Sequence, residues 1–162
     1  MKTAGAIKPL YGQNFKNVLE QATGIPVAVE NDANAAAIAE QWIGHAQGVA
    51  NYLCIVLGTG VGGGIVINNQ VYRGAHGMAG EFGWMVIDPL PATGNIEESA
   101  INRKAAVVDG VVRLYNLDGQ HVPNFVPTTD ARDIFSRAAQ GESLALKRTD
   151  QFLTDLSVGL IN

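Results

Sequence analysis

The chain has 162 residues, of which 47% are hydrophobic, and this is enough apolar material for one ordinary folded core. Its net charge is −4 and its Lys and Arg residues form no cluster, so the electrostatic footprint of a nucleic-acid-binding protein is missing. The one cysteine, Cys54, excludes an intramolecular disulfide, and no apolar run reaches the roughly 18 residues of a membrane span. We therefore expect a cytoplasmic protein that binds neither nucleic acid nor membrane.

The first predicted elements are a helix, a short strand and a second helix. Apolar residues at helical spacing predict a helix over 14–23, and Gly24 follows it as a C-terminal stop. The apolar stretch 27–29 is typical of a short buried strand. Helical periodicity returns over 33–42 and changes to continuous apolar strands near residue 51, where we place a domain boundary.

Asp32 lies where the predicted strand hands over to the second helix. A side chain at such a junction projects into the crevice at the carboxyl end of the strand, which is the usual ligand position in open α/β sheets. Asn31 and Asp32 are also good N-cap residues, so Asp32 could simply cap the helix. The two roles are compatible, because a carboxylate in that crevice can also orient an acceptor hydroxyl for phosphoryl transfer.

A glycine-rich segment, 58–64, separates two strand-like stretches, Tyr52–Leu57 and 65–67. Asn68 and Asn69 then supply turn chemistry before another strand-like stretch, which predicts a hairpin. So many glycines imply positive φ angles, a ligand close to the backbone, or both. Exposed backbone N–H groups bind phosphate oxygens, so we predict a strand-turn-strand phosphate loop. The alternative is that the glycines only relieve crowding in the hairpin.

Two common nucleotide-binding motifs are excluded by the residues after these glycines. Gly58, Gly60 and Gly63 satisfy the bare spacing of the dinucleotide fingerprint, but that motif requires a helix directly after them and the sequence continues as a strand. No Lys-Ser or Lys-Thr pair is present there, so the P-loop is excluded as well.

The remaining elements come in order. Residues 73–83 are glycine-rich and apolar and predict a loop folded over a site, and 84–87 predict another strand. Helices are predicted within 105–115, over 131–140 and from 142 to the end of the chain.

Three ordered motifs, at 25–40, 57–65 and 79–83, resemble the ROK family of bacterial sugar kinases and repressors. The resemblance covers nearly the whole chain and implies an α/β, actin-like ATPase (ribonuclease H-like) fold, here an incomplete two-lobed sugar kinase. Residues 1–48 would be the end of the small sugar-binding lobe. Residues 49–162 would be the start of the large lobe, with the phosphate-loop hairpin and the helices.

The resemblance also implies roles for individual residues. Asp32 would be the catalytic base that accepts the proton of a sugar hydroxyl, usually the 6-hydroxyl, as this attacks the terminal phosphate of ATP. The implied sugar-binding residues are Asn31, Glu81 and Glu97. The implied contacts to the phosphates of ATP, which would bind with Mg²⁺, are Gly58, Thr59, Gly60 and Gly62.

Three acidic residues have alternative interpretations. Glu81 could be a solvated loop acid. Glu97 corresponds to a family sugar-binding glutamate in one alignment with the family pattern. In an equally good alignment, that position falls around 111–113, and Glu97 then has no such role. Glu30 could be a salt-bridge partner at the end of a strand.

The sequence departs from the family where many members bind zinc. ROK kinases commonly carry a zinc-binding histidine at the position of Trp84 and a cysteine cluster after it, whereas residues 88–101 contain no cysteine. We therefore expect no structural zinc, as in the branch that includes β-glucoside kinases. Trp84 could stack on a sugar face or fill the space of the metal, and we expect it to fill space.

ROK proteins extend further at both ends, so we expect the chain to be a central fragment without full kinase activity alone. Its exposed apolar faces favour self-association, for example as a homodimer. The alternative function is the sugar-sensing module of a ROK-type transcriptional repressor, and a third interpretation is a non-catalytic sugar-binding or oligomerisation domain. The presence of Asp32 favours a kinase, since a sensor needs no catalytic base.

Overall fold

The structure of the chain, a computed structural model, describes residues 12–161. Helix α1 (Phe15–Thr23) begins where the Asn14 side chain accepts a hydrogen bond from the backbone N–H of Asn17. It ends at Gly24, which has a left-handed φ of +68°. The predicted first helix is confirmed, because both of its ends depend on local capping chemistry.

The predicted strand over 27–29 is wrong. This segment is extended, but it pairs with no strand in the described part of the chain, and Val29 is 49% exposed. A strand is stabilised by the ladder to its neighbour, so an apolar stretch alone does not make one. Helix α2 (Asp32–Ile43) follows directly, close to its predicted bounds.

The sheet has three antiparallel strands in the order β1 (Tyr52–Leu57), β2 (Val61–Ile67) and β3 (Gln70–Val71). The predicted hairpin between β2 and β3 is confirmed. Asn68 and Asn69 have φ angles of +51° and +62°, the backbone of a two-residue turn that matches the twist of paired strands.

Helix α2 packs against β1 and β2, so described residues on both sides of the predicted boundary at 48/49 are in contact. The division into lobes stays a prediction. Residues 1–11 of the predicted small lobe lie outside the described residues, and so does Asn162, with which the predicted last helix ends.

The segment after the sheet is a glycine-rich loop, as predicted, but the strand expected at 84–87 is wrong. Trp84, the first residue of that expected strand, instead ends a 3-10 turn, Phe82–Trp84. Val86 then forms a single antiparallel bridge with Ala100. A second 3-10 turn, Ile96–Ser99, precedes this bridge partner.

The C-terminal part is helical. Its elements are α3 (Ile101–Lys104), a π-helical segment (Val107–Val112), α4 (Arg113–Gly119), α5 (Ala131–Ala139) and α6 (Ser143–Ile161). The helix predicted within 105–115 starts only at Val107, because Ala105 and Ala106 separate the π-helical segment from α3. Asp130 caps helix α5, and Gly141, with a φ of +88°, follows its end, so the helix predicted over 131–140 is confirmed, as is the last predicted helix by α6.

The main core lies among these helices and reaches β2 through Val61. Tyr115 is fully buried at its centre, where its hydroxyl donates to Glu142 Oε1 at 2.6 Å and accepts from Arg137 at 2.8 Å. Because Val61 belongs to this core, the start of β2 and the turn before it are held against the helices. Between residues 12 and 161, no helix combines the length and apolar character needed to cross a membrane.

Candidate functional site

Asn31, and not Asp32, is the cap of α2. The Asn31 Oδ1 atom accepts hydrogen bonds from the backbone N–H groups of Ala33 at 2.9 Å and Asn34 at 3.0 Å. Asp32 is the first helical residue; it is exposed, and its Oδ1 accepts from Ala33 N–H at 3.0 Å. Since Asn31 already caps the helix, capping does not by itself explain an aspartate at position 32.

Glu30 fixes the approach to α2, as its salt-bridge interpretation predicted. Its Oε1 accepts from the backbone N–H of Asn31 at 3.0 Å and from the Asn34 amide at 3.2 Å, and its Oε2 pairs with Arg73 in the loop after β3. Burial raises the pKa of the Glu30 carboxyl, but these hydrogen bonds outweigh it and hold the pKa below its usual value. The pair therefore ties the start of α2 to the loop that leads to Glu81.

The glycine run serves two different purposes. Only residues 58–60 form the turn, because β2 already starts at Val61 and pairs with Leu57. None of the glycines between 58 and 64 has a positive φ, so of the explanations offered for them only close approach to the backbone remains.

Close packing accounts for the glycines inside β2. A Cβ on Gly62 would lie 3.1 Å from the Cβ of Ala33, and one on Gly64 would lie 2.6 Å from the Cβ of Ala37. On the other face, a Cβ on Gly63 would lie 2.3 Å from the Phe82 ring. The crowding alternative therefore explains these three positions, whereas a Cβ on Gly58 would meet nothing within 4 Å.

The turn presents backbone N–H groups outward. The Gly58 carbonyl accepts from the N–H groups of Val107 at 3.0 Å and Val108 at 3.1 Å, and the Thr59 carbonyl accepts from Asp109 at 3.2 Å. These three N–H groups belong to the π-helical segment. Because the C=O and N–H of a trans peptide point in opposite directions, the N–H groups of Thr59 and Gly60 point away from this segment. Thr59 is exposed, so this arrangement suits an anion such as a phosphate.

Glu81 lies on a loop pressed against the start of β2. A Cβ on Gly80, which has a φ of +87°, would lie 2.3 Å from the Gly63 carbonyl oxygen, and one on Gly83 would lie 2.3 Å from the Val61 carbonyl oxygen. Glu81 lies between these two contacts and is half-buried, so it is not a fully solvated acid. The loop of Glu81, the first turn of α2 and the glycine turn thus converge on residues 61–63.

Asn102 is a positioning residue that the sequence analysis missed. Its Oδ1 accepts from the Val61 backbone N–H at 2.7 Å, and it lies 2.9 Å from a Cβ placed on Gly60 and 2.1 Å from one placed on Gly83. One amide therefore holds the end of the glycine turn and lies against the Glu81 loop. No motif points to it, because the contact spans 41 residues.

We expect Asn102→Ala to lower the free energy of unfolding by about 1–3 kcal/mol, since it leaves the N–H of the buried Val61 without an acceptor. Asn102→Asp keeps an acceptor oxygen in the same place and should restore most of the loss. Urea denaturation of the two variants and the parent measures this. Equal stability of the Ala variant and the parent would show that the hydrogen bond does not hold the turn.

Glu97 lies on the wall of an open hollow of 220 Å³. Its Oε2 accepts from the Asn95 side-chain amide at 3.1 Å, and its backbone N–H donates to Asn95 Oδ1 at 3.0 Å. Trp84 lines the same hollow and is 56% exposed. The expectation that Trp84 fills core space is therefore wrong.

Within residues 12–161, no three His, Cys, Asp or Glu side chains are grouped so that they could hold a metal ion. The expected absence of structural zinc stays a prediction.

Comparison with known proteins gives a consistent result. The model of the ROK family matches residues 7–162. The β-glucoside kinase of Listeria monocytogenes serovar 1/2a is 33% identical over 158 residues, which are 98% of this chain and 52% of that relative. The chain spans about half the length of the curated relatives it matches.

Two solved structures represent the two functional classes. The crystal structure of a ROK family glucokinase from Streptomyces griseus, in complex with glucose and AMPPNP, has a TM-score of 0.75 and 30% identity, over 93% of this chain and 52% of that one. A ROK family transcriptional regulator, a homologue of the E. coli MLC protein, has a TM-score of 0.74 and 31% identity, over 90% of this chain and 38% of that one. These neighbours confirm the predicted α/β, actin-like ATPase fold.

Proposed function

The chain belongs to the ROK family, and from this premise we propose that it carries part of the active site of an ATP-dependent sugar kinase. The acceptor would be a hydroxyl, the 6-hydroxyl in particular, of a hexose or a β-glucoside. One observation carries the proposal. The first turn of α2, the glycine turn and the Glu81 loop all contact residues 61–63, so a candidate base, a candidate anion site and a candidate sugar ligand share one end of β2.

Asp32 takes the role of the base in this proposal. Its carboxylate is exposed at the N-terminus of α2 beside the start of β2, where it can accept the proton of a hydroxyl as that oxygen attacks phosphorus. Asn31 uses its carbonyl oxygen to cap the helix, which leaves its amide N–H groups as donors to a sugar hydroxyl. Glu81 and Glu97 supply carboxylates that accept hydrogen bonds from further hydroxyls.

The glycine turn is the proposed site for the phosphates of ATP. The outward N–H groups of Thr59 and Gly60 and the open space beside Gly58 fit phosphate oxygens. Gly62 lies under Ala33, where packing already requires a glycine, so its contribution would be to let α2 approach the turn. When bound with Mg²⁺, ATP supplies the phosphoryl group and the metal neutralises its charge.

A sugar-sensing module of a ROK-type repressor is the second candidate. The likeness to a ROK family transcriptional regulator favours it. The exposed carboxylate of Asp32 favours the kinase, because sugar binding alone needs no proton acceptor. A homodimer is compatible with either function and stays a prediction.

An assay of phosphoryl transfer separates the two. The protein that carries this chain, at its natural length, is incubated with ATP, Mg²⁺ and glucose, mannose, fructose or cellobiose, and ³¹P NMR identifies any sugar phosphate and the position of its phosphate. We expect a 6-phosphate of at least one of these sugars. Sugar binding by calorimetry without any phosphorylation would contradict the kinase and favour the sensor.

A further inference from the structure

We propose that Arg113 is a positioning residue for the proposed phosphate site, because its guanidinium joins the two supports that hold the glycine turn, 58–60. This inference rests on the proposed function for the identity of the bound group, the phosphates of ATP. Arg113 begins α4 directly after the π-helical segment, and its side chain is 29% exposed.

The two supports of the glycine turn come from different elements. One is Asn102 on α3, whose Oδ1 accepts from the Val61 N–H at 2.7 Å and holds the end of the turn. The other is the start of the π-helical segment, where the N–H groups of Val107 and Val108 donate to the Gly58 carbonyl. A helix leaves its first N–H groups without partners inside the helix, and here the turn satisfies them. The direction of the turn therefore depends on how α3 and the π-helical segment lie relative to each other.

Arg113 donates a hydrogen bond to one backbone carbonyl on each support. Its Nε donates to the Asp109 carbonyl at 2.7 Å, and its Nη2 donates to the Arg103 carbonyl at 2.9 Å. Asp109 also donates its backbone N–H to the Thr59 carbonyl in the turn. Arg103 follows Asn102 directly in α3. Because the donors of a guanidinium keep a fixed geometry, this one group sets the spacing between the two supports.

The π-helical register makes the Asp109 carbonyl accessible to this side chain. The Arg113 backbone N–H donates to the carbonyls of Val108 and Gly110, and not to that of Asp109, which would be its partner in an α-helix. Gly110 also lets the segment approach α3, since a Cβ there would lie 2.8 Å from the Lys104 carbonyl oxygen. Single π-helical turns are rare and frequently occur at functional sites.

The charge of Arg113 is already paired within the protein. A carboxylate oxygen of Glu98 lies 3.7 Å from its Nη2, and the other oxygen of Glu98 pairs with Arg103 at 3.1 Å. Glu98 thus lies between two like charges and offsets their repulsion. The contribution of Arg113 is therefore its geometry, and a second cation at this position would not replace it.

Calorimetric titration of the protein at its natural length tests the proposal, with Mg²⁺ and AMPPNP in one series and glucose, mannose, fructose or cellobiose in the other. Arg113→Met removes both donors and keeps an unbranched stem. We expect its affinity for AMPPNP to fall about tenfold, as for the loss of hydrogen bonds from a charged group, while the affinity for the sugar changes by about twofold or less.

Arg113→Lys keeps the charge but loses the planar group, so its affinity for AMPPNP should fall at least about fivefold. This variant decides the matter alone where Arg113→Met does not fold. Parental affinity for AMPPNP in Arg113→Lys would show that charge suffices and would overturn the positioning role.

Arg148→Met is the matched control, because Arg148 is a less exposed arginine of the same helical layer and pairs with Asp118. It should lower stability in urea, as Arg113→Met does, and leave the affinity for AMPPNP at its parental value. If both methionine variants weaken AMPPNP equally, or if Arg113→Met weakens AMPPNP and sugar by the same factor, Arg113 only stabilises the fold. The proposal is then wrong and the kinase remains. If the parent does not bind AMPPNP, the proposed phosphate site and this inference fail together.

Discussion

Asp32→Asn should lower kcat for sugar phosphorylation by about 10²- to 10⁴-fold while KM for the sugar changes only a few-fold. Asparagine has nearly the same shape as aspartate and can still hydrogen-bond to a hydroxyl, but its amide is not basic and cannot accept the proton. Steady-state kinetics with ATP in excess measure both constants on the protein at its natural length. A loss confined to kcat is the signature of an interaction needed in the transition state.

The fold should tolerate this change, because the cap of α2 is Asn31 and only the favourable charge at the helix N-terminus is lost, about 0.3–1 kcal/mol. Asp150→Asn is a matched control, since Asp150 is exposed on α6, away from β2. It should retain the parental kcat. An Asp32→Asn variant that keeps more than about a tenth of kcat would remove Asp32 from the role of base.

The parts of the fold that the sequence predicts well are those whose causes are local. Helices α1 and α5 begin at Asn14 and Asp130 and end near Gly24 and Gly141, because a capping side chain and a left-handed glycine act within one turn. The turn at Asn68 is equally local. The segment 27–29 has the composition of a strand, but a strand also needs a neighbour, which composition does not reveal.

In the candidate site, too, features with a local cause are predictable from the sequence and features that depend on distant residues are not. The cap-and-acid arrangement at Asn31 and Asp32 is visible in the sequence because both residues are adjacent. The reason for Gly62 and Gly64 is not, since it lies in the approach of a helix from another segment, and glycines that admit a helix look the same in sequence as glycines that admit a phosphate. Asn102 is invisible for the same reason: its partner is far away in the chain.

Trp84 shows the limit of inference from a substituted motif. A tryptophan in place of a histidine predicts that bulk replaces the metal, and apolar bulk is ordinarily buried. The 3-10 turn over Phe82–Trp84 instead directs Phe82 towards Gly63 and leaves Trp84 at the surface. Which of two neighbouring aromatic residues is buried depends on the turn, and the glycines on either side do not specify it.

Gly80→Ala should be among the most destabilising small substitutions in the chain, for two independent reasons. The left-handed φ of +87° costs an alanine about 1–2 kcal/mol. The new methyl group would also lie 2.3 Å from the Gly63 carbonyl oxygen, a backbone atom that cannot rotate away, and such overpacking typically costs a further 1–3 kcal/mol. We therefore expect a loss of about 2–5 kcal/mol in the free energy of unfolding.

Gly77→Ala separates the two causes. Gly77 lies in the same loop with a similar φ of +71°, but a Cβ there would meet nothing within 4 Å, so this variant should lose only about 1–2 kcal/mol. Urea denaturation of both variants and the parent gives the difference, which measures the contact between the Glu81 loop and β2. Where Gly80→Ala still folds, the loop must move off β2 and carry Glu81 with it, so sugar affinity should fall, whereas Gly77→Ala should bind sugar as the parent does. Equal destabilisation by the two substitutions would mean that the loop is not held against residue 63, and the convergence of Glu81 with the first turn of α2 would lose its structural basis.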